Sequence, residues 1–182
     1  MKLLSNFNHL ATFDLSKVGT AYQIINSFVD DQVIHVFEIS PMGSRAVLIL
    51  VSQDLISLQV VYNQVLSMHK ADILISTCIE MISPKILETY LSQNRTQMAA
   101  SLLIVETDSF SMAFDFGQKL ALKNIELVDF RVVRTGPPNI IITATGSSEA
   151  LNIFLTASSC VKTTLIDQVQ KPLKAYFEIL VN

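Results

Sequence analysis

The stretch ELVDFRVVRTGPPNIIITATGSSEAL, Glu126 to Leu151, decides the fold. Two runs rich in branched and aromatic residues flank Arg134-Thr135-Gly136-Pro137-Pro138-Asn139. Pro137 and Pro138 fix φ in that loop, and Gly136 permits φ > 0 or a close backbone approach. Strand, stiff turn and strand predict an antiparallel hairpin. Gly146 and Ser147 then open a helix, with Glu149 in its first turn where a carboxylate favours the helix dipole.

Working backwards from this hairpin, Phe110, Ala113, Phe114, Gly117, Leu120 and Ala121 recur at helical spacing. ASLLIVET before them, ending at Thr107, reads as a strand. The same order occurs earlier in the chain. HLATFDL is strand-like, and Val18, Ala21, Tyr22, Ile25, Phe28 and Val29 mark a helix that Ser16 is placed to cap. QVIHVFEIS reads as a strand, PMGS as a turn and RAVLILVS as a buried strand. A helix follows, with Leu55, Leu58, Val61, Tyr62, Val65 and Leu66 on one face.

A shift of 92 positions lays Val18 on Phe110, Ala21 on Ala113, Tyr22 on Phe114 and Phe28 on Leu120. NIELVDFRVV then falls on QVIHVFEISP and NIIITATGSSEAL on RAVLILVSQDLISL. With one extra residue in the second turn, Leu58 matches Leu151 and Val61 matches Phe154. Duplication of β-α-β-β-α around an antiparallel hairpin predicts an α+β sandwich rather than a doubly wound sheet. The copies join through residues 83–100, whose polar stretch Ser92 to Gln97 is the linker. The expected domains are residues 1–94 and 95–182. QKPLKAYFEIL echoes ISPKILETYL as a shared tail.

Composition narrows the functional classes. Half of the 182 residues are hydrophobic and 16% are charged, which argues against disorder and fits a chain that also buries surface against copies of itself. A net charge of −3, with thirteen scattered Lys and Arg, speaks against nucleic-acid binding. No apolar run approaches the roughly 18–20 residues that span a bilayer, and the broken apolar character of MKLLSNFNHLATF argues against a signal peptide. Cys78 and Cys160 read as buried free thiols.

Catalytic motifs are sparse. There is no G-x-S-x-G elbow, no P-loop and no G-x-G-x-x-G, so Ser147 reads as an ordinary helix cap. His9, His35 and His69 lack metal-ligand spacing, and His35 reads as a hydrogen-bonded sheet residue. Asp30-Asp31 and the pair Glu106 and Asp108 lie at element ends, where solvated or capping carboxylates are common. Tyr22, Phe37, Phe110, Phe114, Phe116 and Phe154 read as packing residues.

The second copy resembles the bacterial microcompartment (BMC) shell domain. The resemblance rests on Val105-Glu106-Thr107, Asn124-Ile125-Glu126-Leu127-Val128-Asp129-Phe130, the loop at Thr135-Gly136, and Ile140-Ile141-Ile142. It covers roughly residues 100–160. The first copy keeps the pattern in ATFDLSKVGTAYQII and QVIHVFEISPMG with few identities.

The resemblance implies two tandem BMC-type domains of the ferredoxin-like β-α-β-β-α-β kind, in the unpermuted order of propanediol-utilisation trimers. Three chains would close a pseudohexameric disc. It further implies a shell protein of a microcompartment in the cytoplasm, not an enzyme, whose partners are the homotrimer, other shell proteins and transported small metabolites, with no membrane or nucleic acid. Its pore would be lined by Ser40, Pro41, Met42 and Gly43 from the first copy and Arg134, Thr135, Gly136 and Pro137 from the second, a rim suited to filtering by size and charge.

Some tandem relatives place a cysteine in the first loop to hold an iron–sulfur cluster. Ser40 stands there, and a hydroxyl is a poor ligand, so no cofactor and no metal are expected. The family's edge lysine is replaced by Val29 and Ala121, with Lys119 and Lys123 flanking the latter. An oligomeric, metabolite-binding regulatory protein is the alternative reading of the same α+β pattern.

Overall fold

The structure is a computed structural model that describes residues 7–29, 32–91, 100–133, 140–155 and 161–169. Its residues form two compact units, Met1–Pro84 with Ser109–Asp115, and Lys85–Asp108 with Phe116–Asn182.

In the first unit the order is β1 (His9–Leu15), α1 (Val18–Phe28), β2 (Ile34–Met42), β3 (Arg45–Ser52), α2 (Leu55–Met68) and β4 (Ile73–Ile79). The sheet order is β2-β3-β1-β4 with every neighbour antiparallel. Alternation along β1 sends Ala11, Phe13 and Leu15 to one face, where they join Ala21 and Ile24 of α1 and Leu58, Val61 and Val65 of α2 in one apolar core. A fully buried Phe, Leu or Ile among them contributes about 1.5–3 kcal/mol through removal from water.

Two details of α1 differ from expectation. Its N-cap is Lys17, without a side-chain cap bond. Ser16 instead donates its backbone N–H and its hydroxyl to Asp72. Thr20 Oγ1 adds a 2.9 Å bond to Asp72 Oδ2, and Lys17 Nζ lies 2.8 Å from Oδ1. The start of α1 is therefore held by a residue 52 or more positions away, which local sequence patterns do not reveal. The second departure is Tyr22, expected to pack but 59% exposed.

The second unit contains α3 (Pro84–Leu91) from Lys85 onward, then β5 (Ser101–Thr107), α4 (Phe110–Leu122) from Phe116 onward, β6 (Glu126–Val132), β7 (Ile140–Gly146), α5 (Ser148–Asn152) and β8 (Val161–Ile166). Its sheet order is β6-β7-β5-β8, again fully antiparallel, so it repeats the first. Ser147 Oγ accepts from Ala150 N–H, as its position predicts. Leu58 and Leu151, four residues beyond their caps Asp54 and Ser147, are both fully buried.

α4 ends in a Schellman motif: Asn124 takes φ 56°, Ile125 N–H bonds Leu120 O, and Asn124 N–H bonds Ala121 O. The first five predicted elements are present in both units, and each sheet gains a final edge strand, β4 or β8, beside its first strand. Residues 83–91, read as the start of a connection, are largely helical. Pro84 stands at the first helical position, where its missing N–H has no cost. The shared tail at QKPLKAYFEIL and the linker at residues 92–97 lie outside the described residues.

Candidate functional site

The first of the two loops singled out by sequence sits at the tip of the hairpin formed by β2 and β3. There, β2 pairs with β3 as far as Met42 and Arg45, leaving Gly43-Ser44 as a two-residue turn. Gly43 has φ +66°, while Ser44 is not among the positive-φ residues. Positive φ at only the first turn position is the type II′ pattern, whose twist matches the strands. The turn is one residue step further along than PMGS implies, because Pro41 and Met42 still belong to β2. Pro41 is tolerated there because β2 is an edge strand.

Ser40 pairs with Val47 and is 6% exposed, whereas Pro41 and Gly43 are exposed. The second set, Arg134, Thr135, Gly136 and Pro137, lies outside the described residues.

Sheet register corrects the alignment of the two hairpins. Ser52 pairs with His9 and Gly146 with Ser101, so β3 and β7 correspond at a shift of 94. His35 pairs with Val51 and Glu126 with Thr145, so β2 and β6 correspond at 91, not the 92 that aligns the helices. The slip arises because the α1–β2 connection is one residue longer than the α4–β6 turn. Both hairpins carry a bulge at the same place, between Val36 and Glu38 and between Leu127 and Asp129.

With this register, the counterpart of Ser40 is Arg131 and that of Glu38 is Asp129. Arg131 Nη2 lies 3.0 Å from Asp129 Oδ2, and Asp129 is 1% exposed. Sequence reading missed this pair at the base of the second loop. Its signal was present as a D-x-R alternation, which puts both side chains on one face of a strand.

The remaining candidates are dispersed. His9 Nδ1 bonds the Glu80 carbonyl oxygen, the ring of His35 lies 4.9 Å from that of Phe7, and His69 meets Phe28 edge-on at 6.3 Å. Among the described residues no three His, Cys, Asp or Glu side chains converge as a metal-binding group. Cys78 is only half-buried, on edge strand β4, and burial together with Glu80 pushes its thiol pKa up. Asp30 and Asp31, Cys160 and Arg134 lie outside the described residues. Phe110, Phe114, Phe116 and Phe154 are buried as expected, and Phe37 is half-buried.

The most developed polar cluster lies in the first unit, on the face of β1 away from α1 and α2. Asp14 accepts from Ser109 Oγ, from Phe110 N–H at 3.2 Å and from Ser111 N–H at 3.2 Å. Thr12 Oγ1 donates to Ser111 Oγ at 2.7 Å. Asp14 is therefore the tertiary cap of α4's first turn. Burial raises its pKa, and the bonds from Ser109, Ser111 and Phe110 oppose that rise.

No protein-family model matches the sequence, and no curated protein matches it either. Solved structures do. A microcompartments protein from Desulfitobacterium hafniense DCB superposes with a TM-score of 0.70 at 13% identity, over 90% of this chain and 96% of that one. At that identity the likeness shows a shared fold. A putative glycine cleavage system transcriptional repressor, at 14% identity, covers 89% of this chain and 99% of its own with a TM-score of 0.30. A protein from Bacteroides thetaiotaomicron, at 9% identity, covers 88% and 93% with a TM-score of 0.28. Among the described residues, no helix is long and apolar enough to cross a membrane.

Proposed function

We propose that this chain is a shell protein of a bacterial microcompartment, made of two tandem BMC-type domains and assembling as a pseudohexameric trimer. The observation that carries this reading is the sheet order, β2-β3-β1-β4 repeated as β6-β7-β5-β8 within one chain. That duplicated architecture matches a microcompartments protein over nearly the full length of both chains. Its role is structural and selective rather than enzymatic. The Ser40–Gly43 and Arg134–Pro137 segments line a central pore for small metabolites, and other shell proteins tile against the trimer.

The hairpin geometry supports the pore assignment physically. Gly43 ends a tight, exposed tip, and an added Cβ there would have nothing within 4 Å. A tip of that kind can approach symmetry mates about an axis. The Asp129–Arg131 ion pair, its carboxylate buried, stiffens the end of β6 that leads toward the other loop. Ser40 holds the position where a cluster-binding cysteine would stand, so the pore carries no iron–sulfur cofactor.

Light scattering with negative-stain imaging tests the reading. The chain is 20.2 kDa, so a trimer has about three times that mass. A hexagonal disc of trimer mass supports it. A monomer at all accessible concentrations refutes it.

A further inference from the structure

The two hairpins treat an arginine differently. In the first, Glu38 pairs with Ile49, Ser40 with Val47 and Met42 with Arg45. Directly opposite residues share a face and alternate residues repeat it, so Glu38, Ser40 and Arg45 lie on the sheet face turned away from α1 and α2. Arg45 stands in the last pair before the Gly43-Ser44 turn, and all three of these residues are exposed.

No carboxylate answers this guanidinium. Among the described residues, no hydrogen bond or ion pair engages the Arg45 side chain. Glu38 stands four residues back along β2 from Met42, about 13 Å at the rise of a strand. Asp14, the nearer acid on that face, pairs with Val47 across β3. Its carboxylate is buried and already taken by the Ser109 hydroxyl and by the Phe110 and Ser111 N–H groups.

The second hairpin hides its charge. Arg131, at the place of Ser40, lies 3.0 Å from the buried carboxylate of Asp129, and its side chain is only 17% exposed. An arginine paired in this way adds little net field, whereas an unpaired one at a tip adds its full charge.

We infer that Arg45 sets the charge class of the solutes that the opening admits, and that this class is small oxyanions, carboxylates or phosphates. The inference rests on the proposed trimer with its hairpin tips about the axis, where three copies of Arg45 form one ring. Each guanidinium presents its N–H groups as a fork that matches a carboxylate or a phosphate. A single exposed ion pair is weak in water, so Arg45 acts through the summed field of the ring. A charged opening concentrates solutes of opposite sign about 10- to 1,000-fold at low ionic strength. The preference fades as salt shortens the screening length, to about 3 Å at 1 M.

The experiment places a thiol at the tip. Ser44→Cys is made in the full chain together with Cys78→Ser and Cys160→Ser, and thermal melts verify that it is folded. Its rates of reaction with an anionic methanethiosulfonate (sulfonatoethyl) and a cationic one (trimethylammonium-ethyl) are measured at low salt. Light scattering of the same samples gives the oligomeric state, at working concentration and after dilution until monomeric. In the trimer we expect the anion-to-cation rate ratio to exceed that of a small free thiol at least tenfold. Arg45→Gln removes this excess and Arg45→Lys keeps most of it. Dilution to the monomer cuts it at least threefold, because one charge then replaces three.

A trimer whose ratio is unchanged by Arg45→Gln overturns the inference while leaving the shell reading intact. An excess equal in monomer and trimer overturns the ring as its source. A chain that is monomeric at every concentration overturns both readings.

Discussion

Removing the Asp14 carboxylate isolates what holds the start of α4. In Asp14→Ala, the Phe110 and Ser111 N–H groups lose their acceptor in a buried setting, while the Ser109 and Ser111 hydroxyls can rotate to other partners. A buried donor left unmade costs about 1–3 kcal/mol, and loss of a helix cap costs about 0.5–2 kcal/mol. These are two descriptions of the same bonds and do not add. Against them stands the relief of a carboxylate whose burial raises its pKa.

The net expectation is a loss of about 2 kcal/mol for Asp14→Ala at neutral pH. Asp14→Asn retains one acceptor oxygen and should lose about half as much. The pH dependence has a definite sign. Because the folded-state pKa of Asp14 lies above 3.8, its contribution is fully present below 3.8 and declines as pH rises through the folded value. The stability gap between wild type and Asp14→Ala is therefore wider near pH 4 than at pH 7. Urea unfolding followed by circular dichroism, with the denaturant slope unchanged, measures each quantity. A gap that widens with rising pH would show that the hydrogen bonds outweigh burial and refute the raised pKa, and Asp14→Ala within about 0.5 kcal/mol of wild type would refute the capping role.

Two glycines give independent checks. Gly117→Ala should stabilise the chain by about 0.5–1 kcal/mol through helix propensity, because the new Cβ meets Ile86 at 3.7 Å, an ordinary contact. A loss measured by chemical denaturation would show that α3 and α4 are packed more tightly than this distance implies. Gly43→Ala should cost about 1–2 kcal/mol from its positive φ alone. Gly43→Asn, which tolerates that region better, should cost less, and equal costs would point to something other than backbone strain.

Much of the architecture was legible in local chemistry. The run from Glu126 to Leu151 carries its own hairpin and helix start, since branched residues, a Pro-Gly loop and a serine cap act over a few residues. The helix faces follow from three- and four-residue spacing, and the same spacing matches Leu58 with Leu151. The duplication was visible for the same reason: repeated apolar periodicity reports two similar cores.

What the sequence left open depends on contacts far apart in the chain. Ser16 looks like a cap, but Asp72 decides how α1 begins. The hairpin register, and with it the pairing of Ser40 with Arg131, hinges on one extra residue in a connection whose length cannot be aligned by helix spacing. Tyr22 fits an apolar stripe as well as Phe114 does, because spacing specifies a face and not what covers it. Asp14 and Glu106 occupy equivalent strand positions with no local mark to separate them. Periodicity in the chain settled which elements form and that they form twice; only tertiary packing decided which polar groups are buried, because burial is a property of what arrives from elsewhere in the chain.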